Sequence, residues 1–229
     1  MKKIVKYFTT MDVVLNVLLL LSIISVVIIE FYLNNINEIF RGGHILGEIV
    51  VNLSLAFIAS YIFYFVVVHI KTQKDKTIIH KHVHIKIGII ISDAKILIKE
   101  MAKASNYQLI SDYPNEKELF EICSKIKLDS NGPMVIGKNN IQANWAQYLD
   151  YMKRRTEKHI QEIFLFMQYL DADFVSSLYS IQDNFYYKYI GFISSGIAPS
   201  NTILLGIHDQ LKDFFDDVNK LEKYSSKIN

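Results

Sequence analysis

The sequence predicts an all-α membrane protein, with an N-terminal two-helix transmembrane hairpin followed by a cytoplasmic helical bundle. Three observations predict it. Apolar residues are concentrated between Val13 and Ile70, and an ordinary charged sequence begins at Lys71. Positive charge flanks that apolar region on both sides and is nearly absent from its middle. Only 3 prolines and 9 glycines stand in 229 residues, so obligatory breaks are few and long helices are favoured over a many-turned β fold.

The hairpin is expected over residues 1–75, with spans at about 12–33 and 46–70, and the cytoplasmic domain over 76–229. A helix rises about 1.5 Å per residue, so about 20 residues cross a hydrocarbon core of about 30 Å. The run Val13 to Ile29 is interrupted only by Asn16, Ser22 and Ser25, and Phe31-Tyr32-Leu33 extends it past Glu30. It lacks a small-residue cleavage site and a second apolar run follows closely, so a cleaved signal peptide fits poorly. A buried hairpin of a soluble protein is the competing reading, and the flanks decide against it. Lys2, Lys3 and Lys6 precede the first run, and Lys71, Lys74, Lys76, Lys81 and Lys86 follow the second. Between the runs stand Glu30, Glu38 and Glu48 against Arg41 alone. Both termini are therefore expected in the cytoplasm, with Gly42-Gly43 turning the chain on the far side. Tyr61 and Tyr64 are placed for the interfacial aromatic belt, and Lys71, Lys74 and Lys76 for contact with lipid headgroups.

Glu48, Asn52, Ala56, Ser60 and Tyr64 recur every four residues along the second run, a slightly winding stripe of polar or small side chains on one helix face. Ala56 and Ser60 also form a pair of small residues that lets helices approach closely. The stripe is expected to be a packing seam against the first span, answered by Asn16, Ser22 and Ser25. Its alternative is a seam between copies, or a polar lining in an oligomer.

Beyond the spans, His80, His82 and His84 alternate in IIHKHVHIK. On a strand all three would share a face and could hold a metal, but Val83, Ile87, Ile90, Ala94, Leu97 and Met101 recur at helical spacing. On a helix only His80 and His84 share a face, so a titratable basic collar is expected rather than a metal site. That helix is expected from about Thr77 to Asn106. A break at SDYPNE follows, with Pro114 in the first turn of a short helix to about Lys127. LDSNGPMVIGKNN is expected to be a loop. A long helix should run from Ile141 to Leu170, interrupted on its apolar face by an exposed Lys153-Arg154-Arg155. Asp171 or Asp173 should cap a further helix through Tyr189. Gly191 to Ser200 reads as a second loop, and an amphipathic helix from about Asn201 ends the chain.

Little in the sequence carries chemistry. No phosphate-binding glycine loop, no H-E-x-x-H and no paired cysteine site is present. The single cysteine, Cys123, is expected as a small buried hydrophobe. The adjacent His208-Asp209 reads as a surface pair. No enzyme activity and no cofactor or metal is expected. The net charge of +2 is too small to argue for nucleic acid, although Lys153, Arg154 and Arg155 are candidates for contact with a partner or with nucleic-acid phosphate.

Two close spans, ASYIFYFVVVHIK at the end of the second, a helical cytoplasmic region and the segment YLDADFVSSLYSIQDNFYY together resemble a group of two-span bacterial membrane proteins. Some of these are anti-phage defence effectors, including the membrane effectors of certain retrons. The resemblance implies an inner-membrane location and abortive infection by permeabilisation. A reverse transcriptase bound to its DNA–RNA product would hold the effector inactive until phage interference releases the spans to depolarise the membrane. It implies no catalytic residue. The reading from a different class is a membrane-anchored scaffold or receptor subunit whose helical domain binds a protein partner.

Overall fold

The computed structural model describes residues 7–33, 36, 40, 42–138, 140–194 and 203–228. Lys2, Lys3 and Lys6, and Glu38 and Arg41 of the connection, on which the expected orientation partly rests, lie outside them. The described chain is mostly helical and falls into two compact units, Met1–Ile78 and Ile79–Asn229.

In the first unit, α1 spans Val13–Phe31 and its N-cap Asp12 accepts from the Val14 N–H at 2.8 Å. Helix α2, Gly43–Phe63, starts after Gly42, whose φ of +96° suits glycine. It passes through a π-helical stretch, Tyr64–His69, into α3, Ile70–Ala104. The chain is thus helical without a break from Gly43 to Ala104. The expected end of the second span at Ile70 is not a helix end, because nothing between Ser60 and Thr77 interrupts i→i+4 or i→i+5 bonding. Both α1 and the run from Gly43 contain a stretch long and apolar enough to cross a membrane, with mean hydropathy 2.7 and 2.1. In α1 Ile29 is the one buried residue.

In the second unit, the C-terminal part of α3 presents Val83, Ile87, Ile90, Ala94, Leu97, Ile98 and Met101 to a single core. Asn106, in the left-handed region at φ 51°, ends the helix, and the Tyr107 N–H reaches back to the Ala102 carbonyl. Helix α4 is Glu116–Lys125. Its cap is Asn115, and Pro114 is not in the first turn as expected, because the reciprocal capping box of Asn115 and Glu118 leaves the proline one residue before the cap. The segment expected as a loop is a β-hairpin of β1, Asn131–Ile136, and β2, Ile141–Asn144, antiparallel with Ile136 opposite Ile141. Its turn uses Gly137 at φ 69° and Asn140 at φ 51°. Gly132 is needed for closeness, since a Cβ there would lie 3.0 Å from the Asn144 carbonyl oxygen.

Helix α5 therefore begins at Trp145 and not at Ile141, and ends at Phe164, with Asn144 and Gln147 as a second capping box. Asp171 caps α6, Ala172–Gln182, and α7 follows over Phe185–Ser194. The expected continuous helix to Tyr189 is broken because the Asn184 side chain takes the Tyr186 N–H. Gly191, expected in a loop, is helical, and 195–202 lie outside the described residues. The last helix, α8, is His208–Ile228, entered through a 3₁₀ turn at Leu204–Ile207. Leu211, Phe214, Phe215, Val218 and Leu221 close the core.

Candidate functional site

Helices α1 and α2 meet along a face the sequence reading did not choose. On α1 it runs through Leu15, Asn16, Leu19, Ser22, Ser25 and Val26 to the buried Ile29, all other residues between them being exposed. On α2 it holds Gly47, Val51, Ser54, Phe57 and Tyr61, and Ile29 approaches within 3.4 Å of where a Gly47 Cβ would stand. Asn16, Ser22 and Ser25 thus lie on the packed side, but not against the stripe that they were expected to answer. Glu48, Asn52, Ala56, Ser60 and Tyr64 do not: every one is exposed, turned away from α1. The stripe is not the seam between α1 and α2. The larger Val51, Tyr61 and Phe65 fill that seam because a hairpin in contact buries more area with them than with small residues.

The inner end of α2 carries an aromatic column that the sequence reading missed. Phe57, Tyr61, Phe65 and His69 are spaced by four. Four residues of α-helix overshoot one full turn by about 40°. The π-helical stretch holds more residues per turn and turns the chain back against that overshoot along the inner half of the column. Tyr61 and Phe65 are accordingly parallel within 8°, and Phe65 and His69 within 17°. Phe8 packs on the column, 5.0 Å from Phe65 between ring centres. The Tyr61 hydroxyl donates to Asn16 Oδ1 at 2.5 Å. His69 is buried, with Nε2 at 3.0 Å from both the Tyr7 carbonyl oxygen and Thr10 Oγ1. The Thr10 hydroxyl donates to the same carbonyl, so His69 carries its proton on Nε2. The recurrence of four aromatic rings at i+4 was the signal available in the sequence.

Of the lysines expected at headgroups, Lys71 and Lys74 are exposed and Lys76 is half-buried. His80, His82 and His84 are helical, and no group of side chains able to hold a metal occurs among the described residues. His82 packs edge-on against Phe166, and His84 Nδ1 lies 3.2 Å from the Ser225 hydroxyl.

The basic triplet on α5 is less available than the sequence implied. Lys153 is half-buried, with Nζ 3.8 Å from Glu157, and Arg154 lies 2.8 Å from Asp150. Arg155 reaches Asp93, which is only 4% exposed, and Nε sits 2.7 Å from Oδ2. All three cations are therefore matched by carboxylates. The Arg155–Asp93 contact is close but poorly aligned, so Asp93 Oδ2 has no aligned hydrogen-bond donor. Burial raises the Asp93 carboxyl above its ordinary value, and the charges of Arg155 and His159 only partly oppose the shift. Asp93 and the Tyr187 hydroxyl line one small cavity with Thr156, Lys153 and Met152. Asp93 was legible as an anomaly, one residue before Ala94 on the apolar face of α3.

Cys123 is buried, as expected, and desolvation pushes its thiol up to about 12, far from the range of a nucleophile. His208 is not a surface group: it is half-buried, Nδ1 donates to the Leu205 carbonyl at 2.9 Å, and its ring meets Phe120 edge-on. The chain matches no protein-family model, no curated protein and no solved structure at a significant level of similarity.

Proposed function

We propose that this chain is a membrane effector that perturbs or depolarises the bacterial inner membrane when a partner releases it. Two spans insert as a hairpin with both termini in the cytoplasm. The observation that carries the reading is the outer surface of the hairpin. Val13, Phe31 and Leu53 are each about two-thirds or more exposed, and apolar side chains continue over the whole of α1. Water would not tolerate so large a continuous apolar surface, whereas hydrocarbon would. Within that surface the stripe from Glu48 to Tyr64 is polar or small, so the hairpin is not a featureless anchor. The partner implied by the resemblance is a reverse transcriptase bound to its DNA–RNA product. Since Lys153, Arg154 and Arg155 are each matched by a carboxylate, contact through protein surface is favoured over contact with phosphate at that triplet.

The test is the membrane potential of bacteria, read by a voltage-sensitive dye after induction of the chain alone. The control is Asn52→Leu with Ser60→Leu, matched for level and membrane insertion. Rapid depolarisation by the natural chain and not by the control is expected. Equal depolarisation by both would remove the stripe from the mechanism.

The second reading is a membrane-anchored scaffold or receptor subunit. The exposed Ile110 and Leu165 of the bundle, at 86% and 77%, favour it as candidate contacts for a protein partner. It predicts no depolarisation, and function that survives replacement of both spans by unrelated ones.

A further inference from the structure

We propose that the outward stripe of α2 docks on the same stripe of a second copy in parallel register, with Asn52 drawing the copies together and Glu48 acting as a brake. The inference rests on the membrane reading above. Copies inserted with one topology present identical residues at identical depth. A symmetric contact through α2 therefore sets Asn52 against Asn52 and Ser60 against Ser60.

The stripe suits that partner chemically. The Asn52 amide carries two donors and an acceptor, and it makes no hydrogen bond among the described residues. Neither does the Ser60 or the Tyr64 hydroxyl. An unpaired amide facing hydrocarbon is costly, and lipid tails offer it nothing. An identical amide offers both what it lacks and what it supplies. An apolar partner would leave the cost in place, and a water-filled site would not need the close approach that Ala56 and Ser60 permit. The intramolecular neighbour cannot serve, because α1 occupies the opposite face through Val51, Ser54 and Tyr61.

Glu48 acts in the other direction. It stands one turn before Asn52 on the same face, with its side chain 64% exposed. Parallel docking brings two carboxylates to one depth, where like charges repel. His44 lies 3.7 Å away on the same helix and is the single ion-pair partner of Glu48 among the described residues. The two residues thus set opposite terms on one surface, which keeps association weak enough to be governed by a partner.

Same-residue cross-linking of the full chain in bacterial membranes tests the register. Ser60→Cys lies on the stripe, whereas Ile62→Cys is exposed off it. Cys123 is buried, so the native background is silent under a mild copper oxidant. Ser60→Cys is expected to give a disulfide dimer at least about fivefold above Ile62→Cys. On the Ser60→Cys background, Asn52→Leu should lower the dimer and Glu48→Gln should raise it. Resistance to alkaline carbonate extraction is read in the same membranes. A chain released by carbonate overturns both the membrane reading and the docking. A chain that resists extraction but cross-links no better at Ser60→Cys than at Ile62→Cys overturns the docking alone. A fall in dimer with Glu48→Gln overturns the brake.

Discussion

Removing Arg155 should expose how much the bundle depends on one buried charge. Arg155→Ala deletes the guanidinium 2.7 Å from a carboxylate whose side chain is 5% exposed. At that separation the attraction is about 6 kcal/mol for an effective dielectric of 20, a value suited to a half-exposed arginine. The loss is capped, because Asp93 can take up a proton instead of remaining charged. Taking its ordinary value of 3.8, burial as the neutral acid at pH 7 costs about 4 kcal/mol, at 1.36 kcal/mol per pH unit. Because the wild-type carboxyl is itself raised above 3.8 in the folded state, about 4 kcal/mol is an upper bound; Arg155→Ala is expected to destabilise the bundle by about 2–4 kcal/mol, which lowers its melting temperature by roughly 4–16 °C for a domain of this size. Trp145, the single tryptophan, is 2% exposed at the start of α5, so its fluorescence reports the bundle and not the hairpin. The full chain in detergent micelles is heated at several pH values. The penalty should shrink on acidification and fade near pH 4. A loss below about 1 kcal/mol at pH 7, or one independent of pH, would refute the argument.

Asp93→Asn should act oppositely. The wild-type carboxyl holds its proton more tightly folded than unfolded, so its contribution is fully present below 3.8 and is lost as pH rises through the raised folded value. The melting temperature of Asp93→Asn relative to wild type should therefore climb between pH 4 and 7, and a flat difference would contradict it. Gly132→Ala places a methyl group 3.0 Å from the Asn144 carbonyl oxygen, and backbone cannot swing aside like a side chain. It should cost about 1–3 kcal/mol in the same fluorescence assay. Asn115→Ala removes a capping box and should cost about 1 kcal/mol, read by urea unfolding. Cys123 should resist an aromatic disulfide reagent in the native chain and react at once in denaturant, and rapid native reaction would contradict its burial.

Much of the helical layout was legible because its signals are local. The end of α3 just before Asn106, the Asp171 cap and the apolar spacing of α8 depend on residues within a turn or two of each other. The hairpin at 131–144 was not legible: Gly137 was read correctly as a turn signal, but Asn131-Gly132-Pro133, read the same way, opens strand β1. A strand pair needs its partner, and MVI is too short to declare strand alone. The aromatic column escaped for a related reason, since spacing by four reads as an ordinary helical stripe until the π-helical stretch aligns the rings.

The sequence by itself determined that two apolar helices stand before a charged helical domain, and that polar groups recur along one face of the second. Burial energies at that level depend on composition and period alone, and both are written along the chain. Only the tertiary structure decided which face meets which. It gave the seam to Val51, Tyr61 and Phe65 and turned Asn52 and Ser60 outward. It also spent Arg155 on Asp93, which stands 62 residues earlier in the chain. Such choices compare whole surfaces brought together from distant segments, and no period within one segment encodes the comparison.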